Sequence, residues 1–394
     1  MSWLVHHTRS EEYASQAEEL HRQQDLNRAA GLYRLSAEAE VNALNNLDSS
    51  KTRTIGITAV SAASLYFKAQ EFLQAKRVAH KWLATELLPP FAVEELEDLL
   101  QTIRYEESRA KSGIQFIEGK VLVSVRGGEV LYGAAPLDLV LRKVDQIRNM
   151  LYRTTELLLD IPFRTGRPPT QDVKDQCDPW VFQAAPGSYQ FEVRVRKPKN
   201  FEQLKLSFPG MSDSDAKLRV EQITQKFLEV IRATSQDPEG ELTEVVPNEE
   251  YRGAFLKLTR ELAPPLTGKS FNEIEIKSIS DAEFRPVILV PNTREAIKNV
   301  LKKSEPELPE LPEYKVTQLR GTLRGLQLDD DWVEIRIDGE NQKNQKVYGA
   351  KEEIDDVVGP MVNRRVVAEV IERGDRSVEK RYSLRDLQLE EDTL

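Results

Sequence analysis

Between Tyr13 and Leu83 two kinds of helical segment alternate at an interval of roughly 34 residues, which restricts the N-terminal third to stacked antiparallel helices. The stretch Tyr13–Tyr33 carries Ala17, Leu20, Ala29, Ala30 and Tyr33. The stretch Thr54–Leu83 carries Ala62, Leu65, Tyr66, Phe72, Ala75, Ala79 and Leu83. Small residues recur where two helices would cross, and larger apolar residues recur where they would fill the gap between them. Such a pattern builds a binding surface, not a reaction centre.

Five helices are predicted: Ser10–Gln24, Arg28–Leu47, Thr54–Ala69, Phe72–Thr85 and Ala92–Glu106. In the second, Ala30, Tyr33, Ala37, Val41 and Leu44 recur at three- and four-residue steps. Pro89 and Pro90 fix two φ angles ahead of the fifth helix and favour a break there. The short connections make consecutive helices antiparallel neighbours. Residues 10–107 resemble the tetratricopeptide repeat class, on Ala17, Ala29, Ala30, Tyr33 and Ala37, then Ala62, Leu65, Phe72, Ala75 and Ala79. The second helix is longer than that pattern allows, and the aromatic and glycine expected early in each first helix are absent or replaced. The resemblance implies an adaptor that docks a protein partner on a small platform.

A chain of 394 residues, 40% hydrophobic and 30% charged, has room for two or three domains. Its single cysteine excludes an internal disulfide and fits a reducing cytoplasm. The opening Met1–His7 reaches Arg9 and Glu11 too soon for a signal-peptide core, and no run approaches the roughly 18 apolar residues of a membrane span. A cytoplasmic protein without membrane association is expected. The net charge of -10 lacks a long acidic block. It argues against a uniformly basic nucleic-acid surface and leaves room for a local basic groove.

The fold class expected is multidomain α+β: a helical-repeat domain at 1–112, a central mixed domain at 113–302, a Pro/Glu-rich linker at 303–313, and a small β-barrel-like domain at 314–394. In the centre, Gly119–Val125 and Glu129–Tyr132 read as a hairpin across Gly127-Gly128. Pro136 opens a long helix to about Asp160 striped by Leu137, Leu141, Val144, Ile147, Leu151 and Leu158. Ser188–Arg196 alternates as a strand with one face buried and one wet. Helices at Leu218–Ala233 and Glu249–Leu262, a strand pair at Phe271–Ile279 and Glu283–Val290, and a helix at Thr293–Lys302 follow. Five short strands are predicted beyond the linker, at Tyr314–Arg324, Trp332–Ile337, Gln345–Ala350, Val362–Glu372 and Lys380–Asp386, with a helical turn at Glu352–Val357. Together they suggest a partly closed barrel. At the level of architecture the order resembles bacterial multi-domain proteins, which implies a component of a defence or regulatory complex.

Catalytic and metal chemistry finds no motif. His6, His7, His21 and His80 lack partners at ligand spacing. Cys177 stands among Asp175 and Asp178, which raise a thiol pKa. Gly321-Thr-Leu-Arg-Gly lacks the lysine and following helix of a phosphate loop. The acidic runs Asp329–Asp331 and Asp355-Asp356 fit turn surfaces better than a calcium loop. No cofactor, metal or specific small molecule is inferred.

Binding offers two candidates. Arg164 and Arg167, in a Pro/Gly-bounded loop, could receive a phosphate or carboxylate, with Tyr189 on a nearby rim. Arg194, Arg196, Lys197 and Lys199 form a stripe that could track a nucleic-acid backbone. The sequence therefore points first to a non-catalytic cytoplasmic interaction or scaffold protein whose helices dock a protein partner. Its alternatives are a nucleic-acid-associated component and a hydrolase or nuclease assembled from distant carboxylates such as Glu156, Asp172 and Asp178.

Overall fold

The computed structural model describes residues 3–390 except 166, 184–188, 199–211, 268, 282, 305–313, 328–329, 340–342, 350–357 and 374–380. The chain divides into two compact units, Met1–Ile114 and Gln115–Leu394.

The first unit is all helical: α1 (Trp3–Arg22), α2 (Leu26–Leu44), α3 (Thr52–Lys68), α4 (Phe72–Leu83) and α5 (Pro90–Ser112). Asp25 caps α2 by accepting from the Arg28 backbone N–H, and Pro stands at the start of α5. Alanines carry the crossings. Ala17, Ala29, Tyr33, Ala37 and Leu65 form one small core, and Leu44, Ile55, Ala59 and Ala62 another. α1 begins earlier than the sequence suggests, because Trp3 stacks on His7 at 4.7 Å and His7 Nδ1 lies 3.1 Å from the buried Glu40 carboxylate of α2. Ser10 and Ser36 also exchange buried hydrogen bonds across the α1–α2 crossing.

The second unit holds two sheets over one continuous core. β1 (Val121–Arg126), β2 (Asp178–Gln183), β3 (Tyr189–Arg196), β4 (Glu273–Ser278) and β5 (Val287–Leu289) form an antiparallel sheet ordered β2-β3-β1-β4-β5. Val121, Val123, Val125, Phe191, Val193, Ile274, Ile276, Val287 and Leu289 share its buried face. Helices α6 (Leu137–Leu158), α9 (Ile223–Gln236) and α11 (Glu249–Leu262) add Ile147, Met150, Phe227, Ile231, Phe255 and Leu258 to the same core. Short helices α7 (Gln171–Gln176), α8 (Asp213–Glu221) and α10 (Glu241–Val245) and the longer α12 (Pro291–Ser304) complete this part.

Several expectations are corrected. The first hairpin does not form: β1 pairs with β3 and β4, while 129–132 curls into a tight loop bridged at Leu131 and Ala134. The helix expected over 218–233 breaks at Gln222 into α8 and α9. The strand β2 lies outside the elements expected from the sequence.

The expected separate, partly closed barrel domain is also corrected. β6 (Tyr314–Gln327), β7 (Trp332–Ile337), β8 (Asn344–Tyr348), β9 (Arg365–Arg373) and β10 (Arg381–Leu389) pair in the cyclic order β10-β8-β7-β6-β9, so the circuit is complete. Every pairing is antiparallel except β8 with β10. Nor is this ring a domain of its own. Residues 115–394 form one unit whose core runs from Val121 through Phe255 to Leu323, Ile335 and Leu387. Of the linker, residues 305–313 lie outside the described residues, as do the turn at 352–357, Asp329 and the Asp355-Asp356 pair.

Candidate interaction surfaces

The loop expected to present Arg164 and Arg167 is folded around a carboxylate of its own chain. Glu156, 1% exposed on α6, accepts from Arg164 Nε at 2.5 Å and from Arg153 Nη1 at 3.3 Å. Arg164 Nη1 also donates to the Arg167 carbonyl at 2.5 Å, and Arg153 Nη1 to the Arg164 carbonyl at 3.2 Å. The Arg153 guanidinium stands 4.4 Å over the Phe163 ring, which meets Tyr251 edge-on at 5.2 Å. Tyr251 donates from its hydroxyl to the Ile161 carbonyl, and burial together with the Glu156 charge pushes its own ionisation upward. An internal anion thus takes the place of the external one expected at Arg164. Arg167 is exposed, whereas Tyr189 is half-buried against Phe191, with rings 6.3 Å apart, and burial raises its pKa.

The polar face of β3 differs from the wet strand face expected. β2 brings Trp180 and Phe182 beside it, and Phe116 joins them at 6.0 and 5.3 Å, both edge-on. Arg194 lies 4.7 Å over Phe182, and Arg196 lies 5.6 Å over Trp180. This interleaving of arginines with aromatic rings depends on the pairing of β2 with β3, which no local pattern in the sequence marks.

Each described cation of the stripe nevertheless has an acidic neighbour. Arg194 bonds Glu192, Arg196 reaches Asp178 at 2.7 Å, and Lys197 reaches Glu221 at 2.9 Å. Paired this way the stripe carries little net positive charge, which lessens the electrostatic attraction on which backbone binding depends. Lys199 lies outside the described residues.

The carboxylates considered for hydrolysis are engaged in separate places. Glu156 is held by arginines, Asp178 by Arg196 and the Trp180 indole, and Asp172 stands in the first turn of α7. Among the described residues no group of three His, Cys, Asp or Glu side chains could hold a metal ion. Cys177 is fully buried, and its thiol is pushed up to about 12 by desolvation, with Asp178 adding to the rise.

The helical unit offers a different kind of surface. Among its described residues twelve alanines are buried, against seven larger apolar residues, while Leu4, Val5, Leu26, Ile57 and Leu73 are each at least half exposed. Tight alanine crossings leave little interior volume, so large aliphatic side chains remain outside. No described helix is long and apolar enough to cross a membrane.

No family model matches the chain, and no curated protein or solved structure matches it either. None of these comparisons shows membership of the tetratricopeptide class. The structure shows an all-helical N-terminal unit in which each helix packs on the next.

Proposed function

We propose that the chain is a non-catalytic interaction protein whose helical unit docks a protein partner, in the cytoplasm as its composition suggests. The observation that supports this reading is the inversion of side-chain size in residues 3–114. Alanine dominates the interior, and Leu26, Ile57 and Leu73 face solvent at 55%, 50% and 57% exposure. Single exposed aliphatics are ordinary, but a set of them on one small unit is the material of a docking surface. The charge pairing of the β3 stripe weighs against the nucleic-acid alternative.

The test compares the intact protein with its Leu26→Asp and Leu73→Asp variants. A partner that co-purifies stoichiometrically through high-salt washing, and is lost from either variant at unchanged thermal midpoint, supports docking. Retention by both variants, or salt-labile nucleic acid in place of any protein, rejects it.

A further inference from the structure

The second unit contains a groove of about 610 Å³ between α11, α12 and the strands β9 and β10. That volume lies within the range of small-molecule sites. Three features of its lining bear on what it could hold.

The first is Gly253. It sits inside α11, where glycine costs about 1 kcal/mol relative to alanine. A Cβ built there would meet no atom within 4 Å, so no close approach of chain segments requires the glycine. Gly253 and Ala254 line the groove, and with no side chain beyond a Cβ they leave a shelf of helix backbone along it.

The second is the bulge in β10. Leu384 opposes Val370 and Asp386 opposes Glu369, so Arg385 is an extra residue between them. Consecutive strand residues normally point to opposite faces, yet Arg385 and Asp386 both line the groove. The bulge has turned a second charged side chain into the cavity.

The third is the ionic floor. Arg260, 2% exposed, donates from Nη1 to Asp386 Oδ1 at 2.9 Å and from Nε to Glu261 Oε1 at 3.1 Å. Arg385 Nη1 lies 3.4 Å from Glu369. The interior carboxylates are thereby matched to arginines and hold those guanidiniums in place. Lys298, whose charge also acts on Asp386, and Lys302, one helical turn on along α12, add ammonium groups to the wall, and Leu256 and Leu301 supply apolar surface beside the shelf. Glu249 and Glu250 lie where α11 begins, well exposed, and disfavour a ligand of very high negative charge.

We infer that this groove binds a phosphorylated small molecule with a flat apolar body, of the nucleoside mono- or diphosphate class. The flat body lies on the Gly253–Ala254 shelf against Leu256 and Leu301, and the phosphate meets Lys298, Lys302 and the bulge arginine Arg385. Lysine supplies point charges, and arginine supplies the bidentate fork that suits phosphate oxygens. The site lies in the unit that the docking reading does not use, so the two stand or fall separately.

The experiment is calorimetric titration of the full-length protein with ADP and, separately, with inorganic phosphate at low ionic strength. Saturable binding of one ADP per chain is expected, with phosphate alone at least about tenfold weaker because it lacks the flat body. Lys298→Glu combined with Lys302→Glu weakens ADP by about tenfold or more. Gly253→Leu fills the shelf and abolishes binding while leaving the unliganded thermal midpoint undiminished, since an added Cβ meets no atom within 4 Å and leucine favours a helix more than glycine does. Absence of ADP binding by the intact protein overturns the inference. So does binding that survives Gly253→Leu unchanged, or inorganic phosphate binding as tightly as ADP.

Discussion

Arg260 of α11 and Asp386 of β10, 126 positions apart in the chain, meet at 2.9 Å and tie the helical layer of the second unit to its strand ring. The contact is nearly dry on the arginine side, at 2% exposure. Removing one member of such a pair strands the other charge, at a cost of about 3–5 kcal/mol. Arg260→Ala is therefore expected to lower the denaturation midpoint strongly. Arg260→Met combined with Asp386→Leu recovers most of the loss, which a double-mutant cycle in urea measures.

The same pair sets an acid dependence. Desolvation raises the Asp386 pKa, but the Arg260 charge, the Gln388 hydrogen bond and Lys298 outweigh it, and the carboxyl titrates below its ordinary value. A depressed folded-state pKa contributes stability above the unfolded value of about 3.9 and loses it as pH falls through the folded value. Stability of the wild-type chain should fall more steeply in acid than that of Asp386→Asn, as acid titration followed by circular dichroism will show.

Glu156 yields a third expectation. It is enclosed by Arg153 and Arg164, so Glu156→Gln leaves two guanidiniums facing a neutral group and costs about 3 kcal/mol or more. Arg167→Ala, at an exposed side chain, should change stability by no more than about 0.5 kcal/mol. Similar losses in both variants by chemical denaturation would show that the loop is not organised around Glu156.

Cys177 should resist alkylation in the folded protein, since its thiol is buried and pushed up to about 12. An unfolded cysteine ionises near 8.5, so the unfolded state sheds its proton first as pH rises. The contribution of Cys177 to stability is complete below about pH 8.5 and declines above it. Iodoacetamide labelling at pH 8 should be slow until denaturant is added; rapid labelling of the native chain would contradict the burial.

Two glycines of β6 should behave oppositely. A Cβ on Gly321 would stand 2.1 Å from the Arg336 carbonyl oxygen on β7, whereas one on Gly325 would find its nearest neighbour at 3.9 Å. Gly321→Ala is expected to cost about 1–3 kcal/mol by forcing the strands apart. Gly325→Ala should stay within about 0.5 kcal/mol, as paired thermal melts will show.

The elements most legible in the sequence were those whose pattern is local. The alternation Tyr189, Phe191, Val193, Val195 marked β3, and the run Trp332–Ile337 marked β7 residue for residue. β2 escaped because Asp178 and Pro179 open it and its apolar residues Trp180, Val181 and Phe182 are consecutive, with no alternation. With β2 went the aromatic rings under Arg194 and Arg196. The groove was illegible for another reason. Gly253, Lys298 and Arg385 belong to three elements, and no spacing along the chain announces that they converge. Arg164 misled for the same reason, since its partner Glu156 is set by the turn between them and not by any motif.

The circuit of strands carries a consequence in time. β6 finds β7 through a short connection, but β9 and β8 stay unjoined until β10 arrives between them, antiparallel to one and parallel to the other. Until then each offers a row of unsatisfied amides and carbonyls to any passing strand. During synthesis residues 314–373 emerge first, so the chain spends an interval as an open template, and its yield in the cell will depend on how quickly 381–389 reach that slot.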